Sequence, residues 1–385
     1  MTSPLQTAIP MHKTAAHLLL AILLIHSAHA AQKGFSEATM GSQYLLIPPA
    51  SDSVVAPQFL RPIAGSFSVT SLTLTNNATQ ATLALAGDPP VDSYGVPVSE
   101  NQFQYASSTQ PETYFALVTS GKRTGTIFLV VSNTATAVTV DAGGLPLATA
   151  DIKAIEIHPC WTLRSLFPPA QTNISFVSSP GGDPDVSAIA KVSPTLVSIP
   201  DFAGSGTSRP VSASYFFNDT IGDWASTDSP AVAAGDTFIT PGEYVIVTND
   251  GDSSFPLHEY IAGAAFYKDF TFYLATLANA SQDNYLAIPR ASDYKIAEMG
   301  FSDANFVQST SKTNGGRNDI LIVGDATGAA SATYYRYKNQ WYDTGNDSFS
   351  TNPLIPAGTA LTVQKVLSDG ADRILLNKSN VTPKK

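Results

Sequence analysis

Alternation of apolar and polar residues dominates this chain. Phe67–Thr75 reads F-S-V-T-S-L-T-L-T, a two-residue period that lays one row of side chains on each face of a strand. The chain turns at Asn76-Asn77 and returns through Gln80–Ala86, which predicts a hairpin. Tyr114–Thr119, Thr126–Ser132 and Ala137–Asp141 follow as strands, separated by Gly121 and by Asn133-Thr134. Phe103–Ala106 and Ile152–His158 are further candidates, and Tyr44–Ile47 is one in the lead-in. No helical period intervenes, and short strands at this spacing predict a small barrel or sandwich.

A second pattern occurs twice. Thr195–Val247 runs T-L-V-S-I-P-D, then S-A-S-Y-F-F-N, then Trp224, then F-I-T-P-G-E-Y-V-I-V. Asp319–Val363 runs D-I-L-I-V-G-D, then S-A-T-Y-Y-R-Y, then Trp341, then L-I-P-A-G-T-A-L-T-V. Asp201 matches Asp325, Tyr215 matches Tyr334, Trp224 matches Trp341 and Gly242 matches Gly358. The spacing between matched residues changes only across turns, as insertions in loops would make it do. The expected class is therefore all-β: an N-terminal small β-barrel or sandwich domain, then two copies of a sandwich-like module. The expected divisions are a leader at 1–30, the N-terminal domain at 31–160 and copy one at 161–250. Connecting strands at 251–283, copy two at 284–366 and a polar tail at 367–385 complete the chain.

Composition agrees with strands and turns. Apolar residues make up 43% and charged residues 14%, and 26 Gly and 26 Pro supply the punctuation. The start has the build of a secretory leader: basic Lys13, the apolar run Ala15–Ile25 and the small-x-small site Ala28-His29-Ala30. That run is shorter than the ~20 residues a bilayer span needs, and no later run qualifies as a transmembrane segment. Met11 is an alternative start. Cleavage after Ala30 removes one of 21 basic residues and none of the 31 acidic ones, so the exported chain is more acidic than the net −10 of the whole. Such a surface disfavours nucleic acid as a partner. The single cysteine, Cys160, excludes an intrachain disulfide.

The layout resembles a family of exported bacterial β-rich repeat proteins of unknown function. The resemblance lies in N-Q-F-Q-Y-A-S-S-T-Q-P-E-T-Y-F-A-L-V-T-S-G at Asn101–Gly121, in S-N-T-A-T-A-V-T-V, in W-T-L-R-S-L-F-P-P and in the two aromatic–Trp–Pro/Gly modules. It implies export and a β-rich repeat, and it carries over no activity, cofactor or catalytic residue. The chain departs from the family's basic ending of the last module strand, reading V-Q-K-V with Lys365 alone.

Candidate chemistry is sparse. Of six histidines, His12, His17, His26 and His29 fall in the leader, leaving His158 and His258. A Ser-His-Asp or Cys-His site needs one of these beside a nucleophile. His158 and Cys160 are two apart in H-P-C, which reads more simply as a strand-end histidine beside a buried cysteine. No G-x-S-x-G elbow occurs, and H-E-Y-I-A at His258 is not a zinc motif. Calcium is the one conceivable cofactor, through the Asp-rich loops Gly181–Asp185, Asn249–Asp252 and Asp343–Asp347. Tight turns use the same residues, and none of the loops has EF-hand spacing. Asp201 and Asp325 are the paired carboxylates a glycosidase would use, although matched sites in two copies are not expected ~5–10 Å apart. Tyr215, Trp224, Tyr334 and Trp341 are the binding candidates, as surface aromatics able to stack on glycans or on an envelope protein; core packing is the alternative.

These readings favour an exported non-catalytic protein of the cell surface, envelope or matrix. The alternatives are an extracellular polysaccharide hydrolase using carboxylates and a carbohydrate-binding protein. The leader makes one direct prediction: N-terminal sequencing of the exported protein begins at Ala31, and a product beginning at Met1 or Met11 refutes it.

Overall fold

A computed structural model describes residues 40–75, 79–103, 112–168, 195–249, 256–313 and 316–366, together with the backbone of 373–377. The architecture is all-β. The lead-in forms β1 (Met40–Ile47), β2 (Ser51–Val55) and β3 (Phe59–Leu60). Next come β4 (Gly65–Thr75), β5 (Gln80–Leu85), β6 (Tyr114–Ser120), β7 (Ile127–Asn133), β8 (Ala137–Asp141) and β9 (Ala154–Pro159). These six close into a barrel in the order β4-β5-β8-β7-β6-β9. The predicted hairpin pairs Thr75 with Gln80, and its Asn76-Asn77 turn lies outside the described residues. Phe103 sits in a turn rather than a strand, and its ring enters the barrel core edge-on to Phe67 and Tyr114.

Alternation fills this barrel. Leu83 and Leu85, Val138 and Val140, and Ile155 and Ile157 all point inward and are buried. Register shifts at Val69/Ser71, Val118/Ser120 and Val130/Ser132 mark bulges, which bend and twist strands enough for a sheet to close.

Beyond the barrel lie β10 (Trp161–Thr162), helix α1 (Leu163–Leu166), β11 (Leu196–Pro200), β12 (Val211–Asn218), β13 (Asp223–Ser226), β14 (Ser229–Ala233), β15 (Phe238–Ile239) and β16 (Val245–Asn249). Then follow β17 (Leu257–Ala265), β18 (Phe270–Leu274), β19 (Gln282–Ala287) and β20 (Tyr294–Lys295). A 3₁₀ turn at Ile296–Met299 leads to β21 (Ile320–Gly324), β22 (Ala330–Tyr337), β23 (Gln340–Asp343), β24 (Ser348–Ser350), β25 (Leu354–Ile355), β26 (Ala360–Lys365) and β27 (Arg373–Asn377).

Two six-stranded sheets result, β14-β13-β12-β11-β16-β2 and β24-β23-β22-β21-β26-β19. Strand for strand the order is the same, and the registers correspond. Val197 pairs with Tyr215 where Leu321 pairs with Tyr334. Phe217 pairs with Trp224 where Arg336 pairs with Trp341. Ile239 pairs with Trp161 where Ile355 pairs with Tyr294. Both sheets shift register just before the turn aspartate, at Ile199/Pro200 and at Val323/Gly324. Both turn their Pro/Gly corner with a glycine at positive φ, Gly242 at 97° and Gly358 at 73°.

The expected 31–160 domain is divided in the structure. Its residues Ser51–Val55 leave the barrel and pair with β16, completing the first six-stranded sheet, because that sheet needs an outer strand its own segment lacks. Met40–Ile47 pairs instead with β17. Within the expected polar tail, Arg373–Asn377 forms β27 and pairs with β18, and the rest of 367–385 lies outside the described residues.

The two sheets cover each other's outer strands. Val54 of β2 donates its N–H to Ala326 O, from the turn after β21. Asp283 and Ala287 of β19 donate theirs to Gly206 O and Gly242 O, from loops of the first sheet. Phe202, Tyr244 and Tyr285 pack edge-on between the sheets.

One buried polar pair distinguishes the sheets. Lys365 Nζ meets Asp319 Oδ2, with the two side chains 2% and 1% exposed. Lys365 Nζ also donates to Asn305 O at 2.7 Å, while Asp319 accepts Val307 N–H at 2.7 Å and Val366 N–H at 3.1 Å. At the corresponding positions of the first sheet stand Thr195 and Asn249, both fully buried. Removing one partner of such a pair leaves an uncompensated charge, costing about 3–5 kcal/mol. Lys365→Met is therefore expected to lower the unfolding midpoint sharply. The double variant Asp319→Thr/Lys365→Asn, which installs the residues of the first sheet, should cost less. Thermal and urea unfolding check this, and equal stability of Lys365→Met and wild type refutes the role.

Candidate functional site

The sequence candidates mostly lie in cores. Trp224 is corrected outright as a surface aromatic: it is 1% exposed, and its Nε1–H donates to Phe167 O at 3.2 Å. Its ring packs against Phe167 and Phe217, with centroids 6.0 and 6.1 Å away. Trp341 is half-buried between Phe301 and Phe306, at 5.5 and 5.2 Å. Tyr215 and Tyr334 are half-buried against the cores of their own sheets. Burial, and to a lesser degree Asp343, pushes the Tyr334 hydroxyl above its ordinary range. Phe216 and Tyr335, which point the other way, are buried as well. Phe216, Tyr335 and Trp224 are packed within the protein, and Tyr215, Tyr334 and Trp341 pack one side against the cores.

The titratable candidates are engaged locally. His158 is buried, stacks on Phe115 at 5.2 Å and has Nδ1 3.1 Å from Arg61 O, which requires the proton on Nδ1. Its Nε2 lies 3.6 Å from Glu156, which also pairs with Lys268. Burial pushes the Glu156 carboxyl up, but the neighbouring His158 ring and the Lys268 ammonium outweigh it and hold the group below its ordinary value. Cys160 is buried among Leu60, Phe115 and Phe270, and burial pushes its thiol up, which keeps it protonated and unreactive. Asp201 Oδ1 accepts Gly204 N–H at 2.8 Å. Asp325 Oδ1 accepts the Thr327 hydroxyl at 2.7 Å and Thr327 N–H at 2.8 Å, and these bonds lower its pKa. Both carboxylates close their own turns. Of the loops considered for calcium, 181–185 and 250–252 lie outside the described residues. In the third, Asp343 accepts Gly345 N–H at 2.8 Å and Asn346 Nδ2–H at 2.7 Å.

An open row of apolar residues on a regular sheet lies elsewhere, on the strands β1, β17 and β3. β1 and β17 pair without a register shift, Tyr44 opposite Tyr260 and Leu46 opposite His258. Strict alternation then separates two faces. Ile47, Leu257 and Ile261 point inward to the first sheet's core. Met40, Tyr44, Leu46 and Tyr260 point outward and are 59%, 49%, 54% and 61% exposed. Tyr44 and Tyr260 stand with centroids 5.0 Å apart, and the Tyr44 hydroxyl meets His258 Nδ1. The ring row is thus fixed by neighbours while its outer surface stays open, a layout suited to contact with another surface. The expected strand at Tyr44–Ile47 and the expected connecting strands at 251–283 cover this region, and strand alternation puts His258 and Glu259 on opposite faces. Sequence reading missed the pairing of the two strands, since Tyr44 and His258 lie far apart in the chain. The signal was the unusual outward Tyr on each strand.

Beneath this face lies Glu259, 1% exposed, with neither carboxylate oxygen bonded. Burial pushes its carboxyl up to about 7 from 4.5, only partly offset by the neighbouring Tyr260 backbone N–H. The folded state therefore holds a proton that the unfolded state releases near pH 4.5. Stability from this group is full below that value and is lost as pH rises through about 7. Glu259→Gln should remove that fall and stabilise the protein at about pH 8 more than at about pH 5. Urea unfolding across this range checks it, and an unchanged profile in the variant refutes it.

No family model, curated protein or solved structure matches this chain, so its functional reading rests on these residues.

Proposed function

We propose that this is an exported, non-catalytic β-repeat protein of the cell surface, envelope or extracellular matrix, whose role is to bind or to assemble. The observation that carries the reading is the outward row Met40, Tyr44, Leu46 and Tyr260 on β1 and β17. Apolar surface costs roughly 25 cal/mol per Å² left in water, and a chain that keeps two adjacent tyrosines outside gains by covering them. The leader at 1–30 supports export, and no helix of the described residues is long and apolar enough to cross a membrane.

The matched strand orders, registers and corner glycines support reading the two six-stranded sheets as copies of one module. On that reading β2 is the first strand of copy one, as β19 is of copy two. The barrel β4–β9 is then an insertion between β2 and the rest of its module. Repeated modules joined edge to loop make a rigid body for presenting a face, which suits an assembling or binding protein without disulfides.

The test is a panel of ester, peptide and glycan substrates offered to purified Ala31–Lys385, with host fractionation in parallel. The expected result is no turnover above background, with the protein in envelope, matrix or medium fractions. Turnover abolished by Asp201→Asn or Asp325→Asn, with folding intact, would replace this reading by the carboxylate hydrolase.

A further inference from the structure

We propose that β1 pairs edge to edge with β1 of a second copy of this chain, giving a two-fold dimer. The inference rests on the assembling role above and names its partner.

Sheet edges expose unpaired N–H and C=O groups, and stable proteins cover, shorten, charge or bulge them. The other edges of the described six-stranded sheets follow that rule. β2 and β19 are covered by loops of the opposite sheet. β14 contains Pro230 and a register shift against β13, and β24 spans only Ser348–Ser350. β1 breaks the rule. Its sequence, M-G-S-Q-Y-L-L-I, has no charge and no proline, and it pairs with β17 over eight residues without a bulge. Among the described residues no strand pairs with its other side. Among the described residues no backbone group pairs with this edge from Met40 to Leu46, and Asn249 Nδ2–H reaches the Ile47 carbonyl at its end.

The self-complementary, uncharged strand admits a second copy as the occupant despite the charge of the whole chain. The chain carries a net −10, so two copies repel over most of their surface. β1 contains none of the acidic residues, and Glu259, the one carboxylate on β17, faces inward. Two acidic chains can therefore meet here with no like charges in contact. The strand is also self-complementary. An antiparallel pairing must set outward residues opposite outward residues, because a one-residue slip turns every side chain over. Placing Tyr44 opposite its own copy satisfies this and sets Ser42 opposite Leu46. The open stretch of this edge runs about 24 Å, and the tyrosines of both copies become one continuous row.

The experiment is sedimentation of the exported chain Ala31–Lys385, with three variants. Wild type is expected to be a dimer. Tyr44→Lys places two ammonium groups against each other on the two-fold axis and should weaken the dimer at least about tenfold, with unchanged circular dichroism. Leu46→Lys is the second disrupting variant, used if Tyr44→Lys loses folded signal. Tyr44→Cys should yield a reducible dimer on mild oxidation, since buried Cys160 is inaccessible and position 44 meets its own copy. Val232→Cys, on the exposed edge strand β14, should yield none. A monomeric wild type, a dimer indifferent to both lysine variants, or equal cross-linking at 44 and 232 overturns the proposal. A monomer without hydrolytic turnover removes the dimer and leaves the non-catalytic reading standing. Turnover in a confirmed dimer removes that reading and leaves the pairing.

Discussion

Backbone groups at the edges of sheets must find partners, and that constraint shapes this molecule more than any side chain does. The chain meets it in three ways. The barrel closes on itself, so β4 through β9 have no edge at all. The two six-stranded sheets lend each other loops, so that β2 and β19 are capped reciprocally. The first sheet borrows its outer strand from Ser51–Val55, on the far side of the barrel in sequence. That loan ties the barrel at both ends to one body, since the chain enters it from β3 and leaves it into β10.

Polar groups inside the sheets follow the same logic of satisfaction. The two matched sites at the open end of each central strand pair hold different residues, Asp319 and Lys365 in one and Thr195 and Asn249 in the other. The charged version is tolerable only because Asn305 and two backbone N–H groups complete its bonding. Glu259 is the one buried carboxylate among the described residues that departs from this. It sits with no bonded partner beneath the outward tyrosines, and it escapes the cost of burial by keeping its proton. Such an unresolved group next to an uncovered face marks the β1–β17 sheet as the part of the molecule not optimised for stability alone.

The aromatic pairs show how a correct pattern can carry two meanings. A tyrosine or phenylalanine beside another on a strand must send one ring to each face. Whether the outward ring is open depends on what covers that face. For Trp224 the cover is Phe167, and for Trp341 it is Phe301 and Phe306. For Tyr44 and Tyr260 nothing among the described residues covers it. Of the four residues that looked most like a binding surface, Trp224 is framework and Tyr215, Tyr334 and Trp341 are half-buried against their own cores, while the open pair came from strands with no such motif.

The all-β class, most strand positions and the correspondence of the two tryptophan segments were legible in the sequence. Each depends on local alternation, turn residues and spacing, which adjacent residues decide. So was the opposition of His258 and Glu259, because strand geometry alternates whatever the sheet. The pairing of β1 with β17, the transfer of β2 to the first sheet and the return of β27 to β18 were decided only by tertiary structure. These contacts join segments separated by an entire barrel or module, and their strength comes from edges and cores that exist only once the chain is folded. Exposure is the same kind of property: it belongs to the space around a side chain, and neighbouring residues in sequence do not set it.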